Sequence, residues 1–316
     1  MVIIGAMMTY STTSWHELGK VIQEEVLMAI EGLTVIGESI NDSVPSTNQL
    51  YEAGDLEGIK ALAKMQDEAG AAYIDVNVGT RGAELMQRVV REVQSVTAKP
   101  LSIDTPSVEL ARAGLEAYDA DRAGGALPIL NSISLLRPEM FDLYAIQPFT
   151  PILLITERVE GGSSKPNVRG EQTYETAKQL LSVARERCGL EPHQVIFDPG
   201  APPIVSDTEG LVRAAVEALA LMHEDPELAG YHASVGLSNL TVMLPTRRSD
   251  GMPVKSTLES ALLTKCMPLG LDMAITSVKR KHEILPADHP AMQCLEDVLK
   301  LEGYDTIMRV MEFYSQ

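Results

Sequence analysis

Short apolar runs of β type alternate along most of the chain with longer stretches of helical periodicity. The strand-type runs lie at 33–37, 72–78, 100–104, 127–131, 151–156, 194–198, 232–237 and 271–276. Helical patterns fill 55–69, 80–97, 107–117, 137–145, 171–188, 207–223, 255–268 and 288–303. The run from Pro151 to Thr156 is nearly all apolar, as expected of a strand buried on both faces. Eight such repeats in about 270 residues predict an α/β chain folded as a single (β/α)8 barrel. An open doubly wound sheet is the alternative architecture.

Local signals mark several boundaries. Thr105 reads as an N-cap, with Pro106 at the first helical position. Ser206 and Glu209 have capping-box spacing before the sixth helix. Ser14 and Glu17 have the same spacing and predict a helix through Ile30, ended by Gly32. Residues 1–31 therefore read as an N-terminal extension and 32–316 as the barrel.

Polar residues fall at the ends of the strands, where a barrel of this type builds its site. The first strand runs into Glu38, and the second holds Asp75 and Asn77, two apart and so on one face. The third ends at Asp104, the fourth at Asn131, the sixth at Asp198, and the seventh runs into Ser238 and Asn239. A lone Asp there is more often a helix cap or turn former. Asp104 precedes a helix and Asp198 precedes Pro-Gly, so both fit that plainer reading individually. Four Asp or Asn residues converging on one mouth are better explained by a ligand, because unpaired carboxylates are costly to gather in one place.

Composition narrows the ligand. Lys plus Arg number 26 against 44 Asp plus Glu, a net charge of −18, which disfavours nucleic acid and anionic membrane surfaces as partners. The 3 cysteines, Cys188, Cys266 and Cys294, are far apart and form no CxxC pair, which fits a reducing cytoplasm rather than a disulfide framework or a metal site. No apolar run is long enough to span a membrane, and Met1 to Met8 lacks the charged lead of a signal peptide. None of the 6 histidines falls at the strand tips, and no HExxH, GxSxG, GxGxxG or P-loop occurs. Carboxylates and amides with few cations suit a neutral heterocycle that presents an amidine-like N–H edge.

The strand-end stretches resemble those of the pterin-binding methyltransferases that act on methyltetrahydrofolate and a corrinoid protein, relatives of dihydropteroate synthase. The matching stretches are Val35–Asn41, Ile74–Gly79, Leu101–Thr105, Ile129–Ser132, Val195–Pro199 and Val235–Asn239, in the family's order over about residues 33–280. The resemblance implies a TIM barrel, agreeing with the repeat pattern. It implies that Asp104, Asn131 and Asp198 hold the pterin ring and that Asn239 hydrogen-bonds N5, the atom carrying the methyl group. Glu38, Asp75 and Asn77 match positions lining the same mouth.

Further implications concern partners. No DxHxxG cobalamin signature occurs, so the corrinoid is expected on a separate protein that makes a transient contact with the rim. The substrate would be tetrahydrofolate or its 5-methyl form, with either direction of transfer open. Ser238, Arg247 and Arg280 are candidates for contact with the corrinoid or the folate tail, and 156–170 reads as a mobile loop on that rim. The family is usually dimeric, so a homodimer is expected. Dihydropteroate synthase is the rival enzyme, because Arg280 and His282 have the Arg-x-His spacing that family uses near a phosphate. Against it, Asn239 follows Ser238 where a Lys is expected soon after that serine. A non-catalytic folate-binding subunit is the remaining alternative.

Overall fold

In the computed structural model, which describes residues 30–316, the first apolar run continues into its polar tail. Strand β1 spans Thr34–Asn41 and so carries Glu38 on the strand itself. Helices α1 (Pro45–Ala53) and α2 (Leu56–Glu68) lead to β2 (Tyr73–Asn77). Then come α3 (Ala83–Gln94), β3 (Leu101–Asp104), α4 (Val108–Ala117) and β4 (Ile129–Ile133). A 3-10 helix over Pro138–Ala145 precedes β5 (Thr150–Leu154), and a hairpin of β6 (Glu157–Glu160) and β7 (Ser163–Pro166) follows it. The second half continues with α5 (Gly170–Cys188), β8 (Ile196–Asp198), α6 (Leu211–Glu224) and β9 (His232–Gly236). It ends with α7 (Val254–Cys266), β10 (Leu271–Thr276), α8 (Pro290–Val298) and α9 (Tyr304–Ser315).

The strands close into a parallel barrel in the order β1-β10-β9-β8-β5-β4-β3-β2. This is the (β/α)8 TIM barrel that the repeat pattern predicts, and the open sheet is excluded by the pairing of β1 with both β2 and β10. The helix expected over 14–30, with Ser14 and Glu17, lies outside the described residues.

The period-two alternation of the strands sorts their side chains. Inward-facing Ile36, Ile129, Ile152, Ile196, Met273 and Ile275 form one buried cluster, with Tyr73 packed against it. Two residues further along the same faces the positions turn polar: Glu38 after Ile36, Asp75 after Tyr73, Asn131 after Ile129, and Asp198 after Ile196. The barrel is thus plugged by hydrocarbon at its floor and polar at the carboxyl ends of its strands. Outward-facing strand residues pack on the helices in two larger clusters, one centred on the first half of the chain and one on the second.

Several boundaries differ from the sequence reading. The N-cap before α4 is Ser107, whose Oγ accepts from the Leu110 N–H at 3.4 Å, while Thr105 Oγ1 accepts from the Ser107 N–H. Ser206 does not cap the sixth helix. The carboxylate of buried Asp207 does, taking the N–H groups of Leu211 and Val212 at 2.8 Å each. The helical pattern at 288–303 is realised as α8 alone, and α9 lies beyond it, after Gly303, which has a positive φ of 59°. The segment 156–170, read as a loop, holds the β6–β7 hairpin. Gly161 and Gly162, at φ 61° and 79°, form its two-residue turn.

Candidate functional site

The polar strand ends enclose a cavity of about 450 Å³ at the carboxyl mouth of the barrel. Glu38, Asp75, Asp104, Asn131, Asp198, Ser238, Asn239 and Arg280 all line it. Seven elements therefore contribute one or two chemical groups each, and none of them is near another in sequence except at the end of β9.

The acidic groups are packed at a density that disfavours ionisation. Asp75 is 1% exposed, and neither of its carboxylate oxygens meets a protein partner. Burial, reinforced by the neighbouring Asp104, pushes its pKa well above the ordinary value. Burial likewise raises Asp104 to about 6, opposed by the Asn77 amide. Burial raises Asp198 to about 7, although the Gly200 N–H bonded to its Oδ1 at 2.7 Å pulls the other way. Three carboxyl groups thus face one cavity with little internal compensation. Groups arranged in this way take N–H donors, or hold protons, at low cost.

Asn77 does not reach the cavity. Its Nδ2 donates to Asp104 Oδ2 at 2.8 Å, and its Oδ1 accepts from the Gly79 N–H at 2.7 Å. It therefore orients Asp104 from behind. Asp198 combines the two readings open to it, since it shapes the Pro199-Gly200 turn and also lines the cavity.

Asn239 sits in a short 3-10 helix over Leu237–Thr241 that continues directly from β9. Its side chain folds back over the strand end: a Cβ on Gly236 would lie 2.7 Å from Asn239 Nδ2. Only a glycine leaves room for that placement. On the opposite side Ser238 Oγ donates to Glu38 Oε2 at 2.8 Å, tying the end of β9 to the end of β1 across β10.

The cationic candidates separate. Arg247 does not line the cavity; its Nη1 donates to the Gly251 carbonyl at 2.8 Å on the exposed 242–253 segment. Arg280 does line it, but its guanidinium is already paired with Glu259, a fully buried carboxylate on α7. His282 Nε2 meets the other oxygen of Glu259 at 2.9 Å, and Thr241 bonds the first. The Arg-x-His pair is therefore occupied from inside the protein.

Sequence reading missed Glu259 and Lys255, which also lines the cavity. The signal for Glu259 was its place in Leu258-Glu259-Ser260-Ala261-Leu262-Leu263, a stretch buried on every side. A carboxylate in such a stretch requires a buried partner. A second, mostly apolar cavity of about 640 Å³ adjoins the first, sharing Asn239 and Val242 with it. Pro166, Pro199, Pro202 and Pro203 form much of its wall. Among the described residues no helix is long and apolar enough to cross a membrane.

Comparison with known proteins gives concordant matches. A family model described as pterin binding enzyme matches residues 40–277. The methylcorrinoid:tetrahydrofolate methyltransferase of Eubacterium limosum is 25% identical over 247 residues, which is 77% of this chain and 84% of that protein. The methionine synthase of Mycobacterium leprae (strain TN) is 24% identical over 301 residues, 89% of this chain; the match spans only 23% of that protein. Among solved structures, a dihydropteroate synthase from Xanthomonas albilineans in complex with 7,8-dihydropteroate superimposes with a TM-score of 0.52 at 18% identity. It covers 87% of this chain and 96% of its own, and it carries the likeness of fold alone.

Proposed function

Since the chain belongs to the pterin-binding enzyme family, we propose that it transfers a methyl group between N5 of tetrahydrofolate and the cobalt of a corrinoid held by a separate protein. The observation that carries this reading is the meeting of Asp104, Asn131, Asp198 and Asn239 around one cavity. The relative from Eubacterium limosum, named for transfer between a methylcorrinoid and tetrahydrofolate, supports it.

In this reading the amidine-like edge of the pterin donates N–H bonds to Asp104 and Asp198, with Asn131 pairing the remaining polar edge. Each hydrogen bond to a charged acceptor contributes about 1.5–3 kcal/mol. Asn239 faces N5, donating from its amide when N5 is bare and accepting through its carbonyl when N5 is protonated. A methyl group on a tertiary amine leaves slowly because the departing nitrogen is a poor leaving group. A preorganised hydrogen bond at that nitrogen lowers the barrier in both directions. The corrinoid supplies the reacting metal as a substrate. Its carrier is the partner that approaches the rim and withdraws, while the chain itself pairs as a homodimer in the cytoplasm.

The pairing of Arg280 and His282 with Glu259 weighs against the synthase alternative. A phosphate leaving group needs uncompensated positive charge, and the guanidinium of Arg280 is already paired with a buried carboxylate. The deciding experiment is anaerobic mixing of the protein with methyltetrahydrofolate and Co(I) cobalamin, followed by the loss of Co(I) absorbance. Protein-dependent formation of methylcobalamin is the expected outcome. Its absence, also with corrinoid proteins as acceptors, would remove this reading.

A further inference from the structure

Transfer from N5 to cobalt has a proton requirement that Asn239 does not meet. The C–N5 bond breaks and its electron pair stays on nitrogen. A C–Co bond forms from the electron pair of the partner's reduced corrinoid, whose metal passes formally from +1 to +3. N5 then needs one proton to become the neutral amine of tetrahydrofolate. An amide donates a hydrogen bond without giving up its proton, so the proton comes from another group. The reverse direction returns one proton to the same place.

The cavity divides into two arcs. Asp104 and Asn131 on β3 and β4, and Asp198 on β8, lie along one side of the ring of strands. Glu38 on β1 lies on the other, separated by β10 alone from the end of β9, which leads into Ser238 and Asn239. A pterin edge bonded to the first arc turns its N5 toward the second. There Glu38 is the carboxyl group joined, at 2.8 Å, to the hydroxyl of Ser238, the residue immediately before Asn239.

We propose that Glu38 stores the proton for this reaction and passes it to N5 through the Ser238 hydroxyl, a proposal that rests on the methyl-transfer reading above. A hydroxyl is suited to the relay because it donates and accepts at one atom. When Glu38 holds the proton it donates to Ser238 Oγ, whose own hydrogen is then free to face the pterin. When Glu38 is ionised, Ser238 turns back and donates to it. Burial raises the pKa of Glu38, which favours the loaded form.

The groups facing Glu38 tune that storage from every side. Ser238, Arg280 and His282 favour its charged form, from the end of β9 and from the segment after β10. Glu259 on α7 favours the neutral form. Asp75 on β2 lines the same cavity, and Glu38 helps it to keep its proton. Lys255, Asp104 and Asp198 complete the charged lining of the cavity. The guanidinium of Arg280 is paired with Glu259, which limits its pull on the proton of Glu38.

The test compares wild type, Glu38→Gln and Ser238→Ala in single-turnover transfer from methyltetrahydrofolate to a Co(I) corrinoid, across pH 5 to 9 and in H2O and D2O. Pterin affinity is measured alongside by calorimetry. In the wild type the rate should fall as pH rises and should slow in D2O. E38Q should keep pterin affinity within a few-fold and lose about 10²-fold in rate, the lower end expected of a positioned proton donor. Its remaining rate should be flat in pH on that limb and insensitive to D2O. A wild-type enzyme that transfers methyl groups, with both variants retaining its pH profile and isotope effect, would overturn the proposal and leave the methyl-transfer reading standing. If E38Q does not fold, S238A decides alone: loss of the pH limb supports the relay, and its retention overturns it. A wild type that transfers no methyl group to any corrinoid overturns the reading and the relay together.

Discussion

Asp198 shows how a single side chain can be set against the fold that holds it. Its carboxyl is raised to about 7, whereas in the unfolded chain it titrates near ~3.9. Between those values the folded chain holds a proton that the unfolded chain has released, so stability falls as pH rises through this window and levels off above it. The slope from one such group approaches about 1.4 kcal/mol per pH unit. Asp198→Asn should therefore flatten the fall in melting temperature between pH 4 and 7 relative to the wild type and stabilise the free protein at pH 7. It should also weaken pterin binding at least tenfold by calorimetry. An unchanged slope would mean that this carboxyl is ionised throughout. Asn239→Ala should cut methyl turnover roughly 10²–10³-fold with little effect on pterin affinity. Gly236→Ala should follow it in direction, since its methyl would displace the Asn239 amide from 2.7 Å away. That displacement moves only the far end of a side chain, so the melting temperature should change little. At this scale the sequence was informative about residue type and strand position. Asp75, Asp104, Asn131 and Asp198 could be picked out because a period of two carries them to one mouth. Asn77 and Arg247 lie outside the cavity lining, because strand position says which face a side chain leaves from, not whether a neighbour has already claimed it.

Whole elements were legible where their pattern was long. The strands and the longer helices follow from apolar periodicity, while the shorter pieces were lost to it. Helix α1 has nine residues and weak amphipathicity, and it is absent from the periodic pattern because its single clear signal is Pro45 at the first turn. The β6–β7 hairpin has exposed, polar strands, so nothing apolar alternates there. Helix α9 falls beyond the last pattern read from the sequence, which ends at Gly303. Helix capping gives the sharpest test. Asp207 takes two N–H groups of α6 from a buried position, whereas Ser206 Oγ bonds only the Pro203 carbonyl. Asp207→Ala should cost about 1–2 kcal/mol in thermal or urea unfolding, and Ser206→Ala should change it by less than about 0.5 kcal/mol. Equal losses would restore Ser206 as the cap. The error is instructive: serine and aspartate are adjacent, both cap well, and only the path of the chain through the 3-10 helix at 204–206 selects between them.

Across the whole molecule, closure of the sheet does what no segment does alone. It brings groups from Glu38 to Arg280 around one opening above a hydrocarbon floor, so the site is inseparable from the fold. Ligand binding should consequently protect the entire chain. Methyltetrahydrofolate at a hundred times its Kd should add about 2.7 kcal/mol to the unfolding free energy, read as a rise in melting temperature. A pterin diphosphate should stabilise no more than the pterin alone, because Arg280 is already paired with Glu259; a clear additional rise would reopen the synthase reading. That pairing also has an evolutionary side. Glu259 holds a guanidinium and an imidazole beside the cavity, so its loss by mutation would release both without altering a single residue of the cavity wall. The fold would pay in stability for the stranded guanidinium, yet the same scaffold would acquire an opening toward phosphorylated pterins. In a barrel of this kind, a buried residue in an outer helix can hold a lineage to one chemistry.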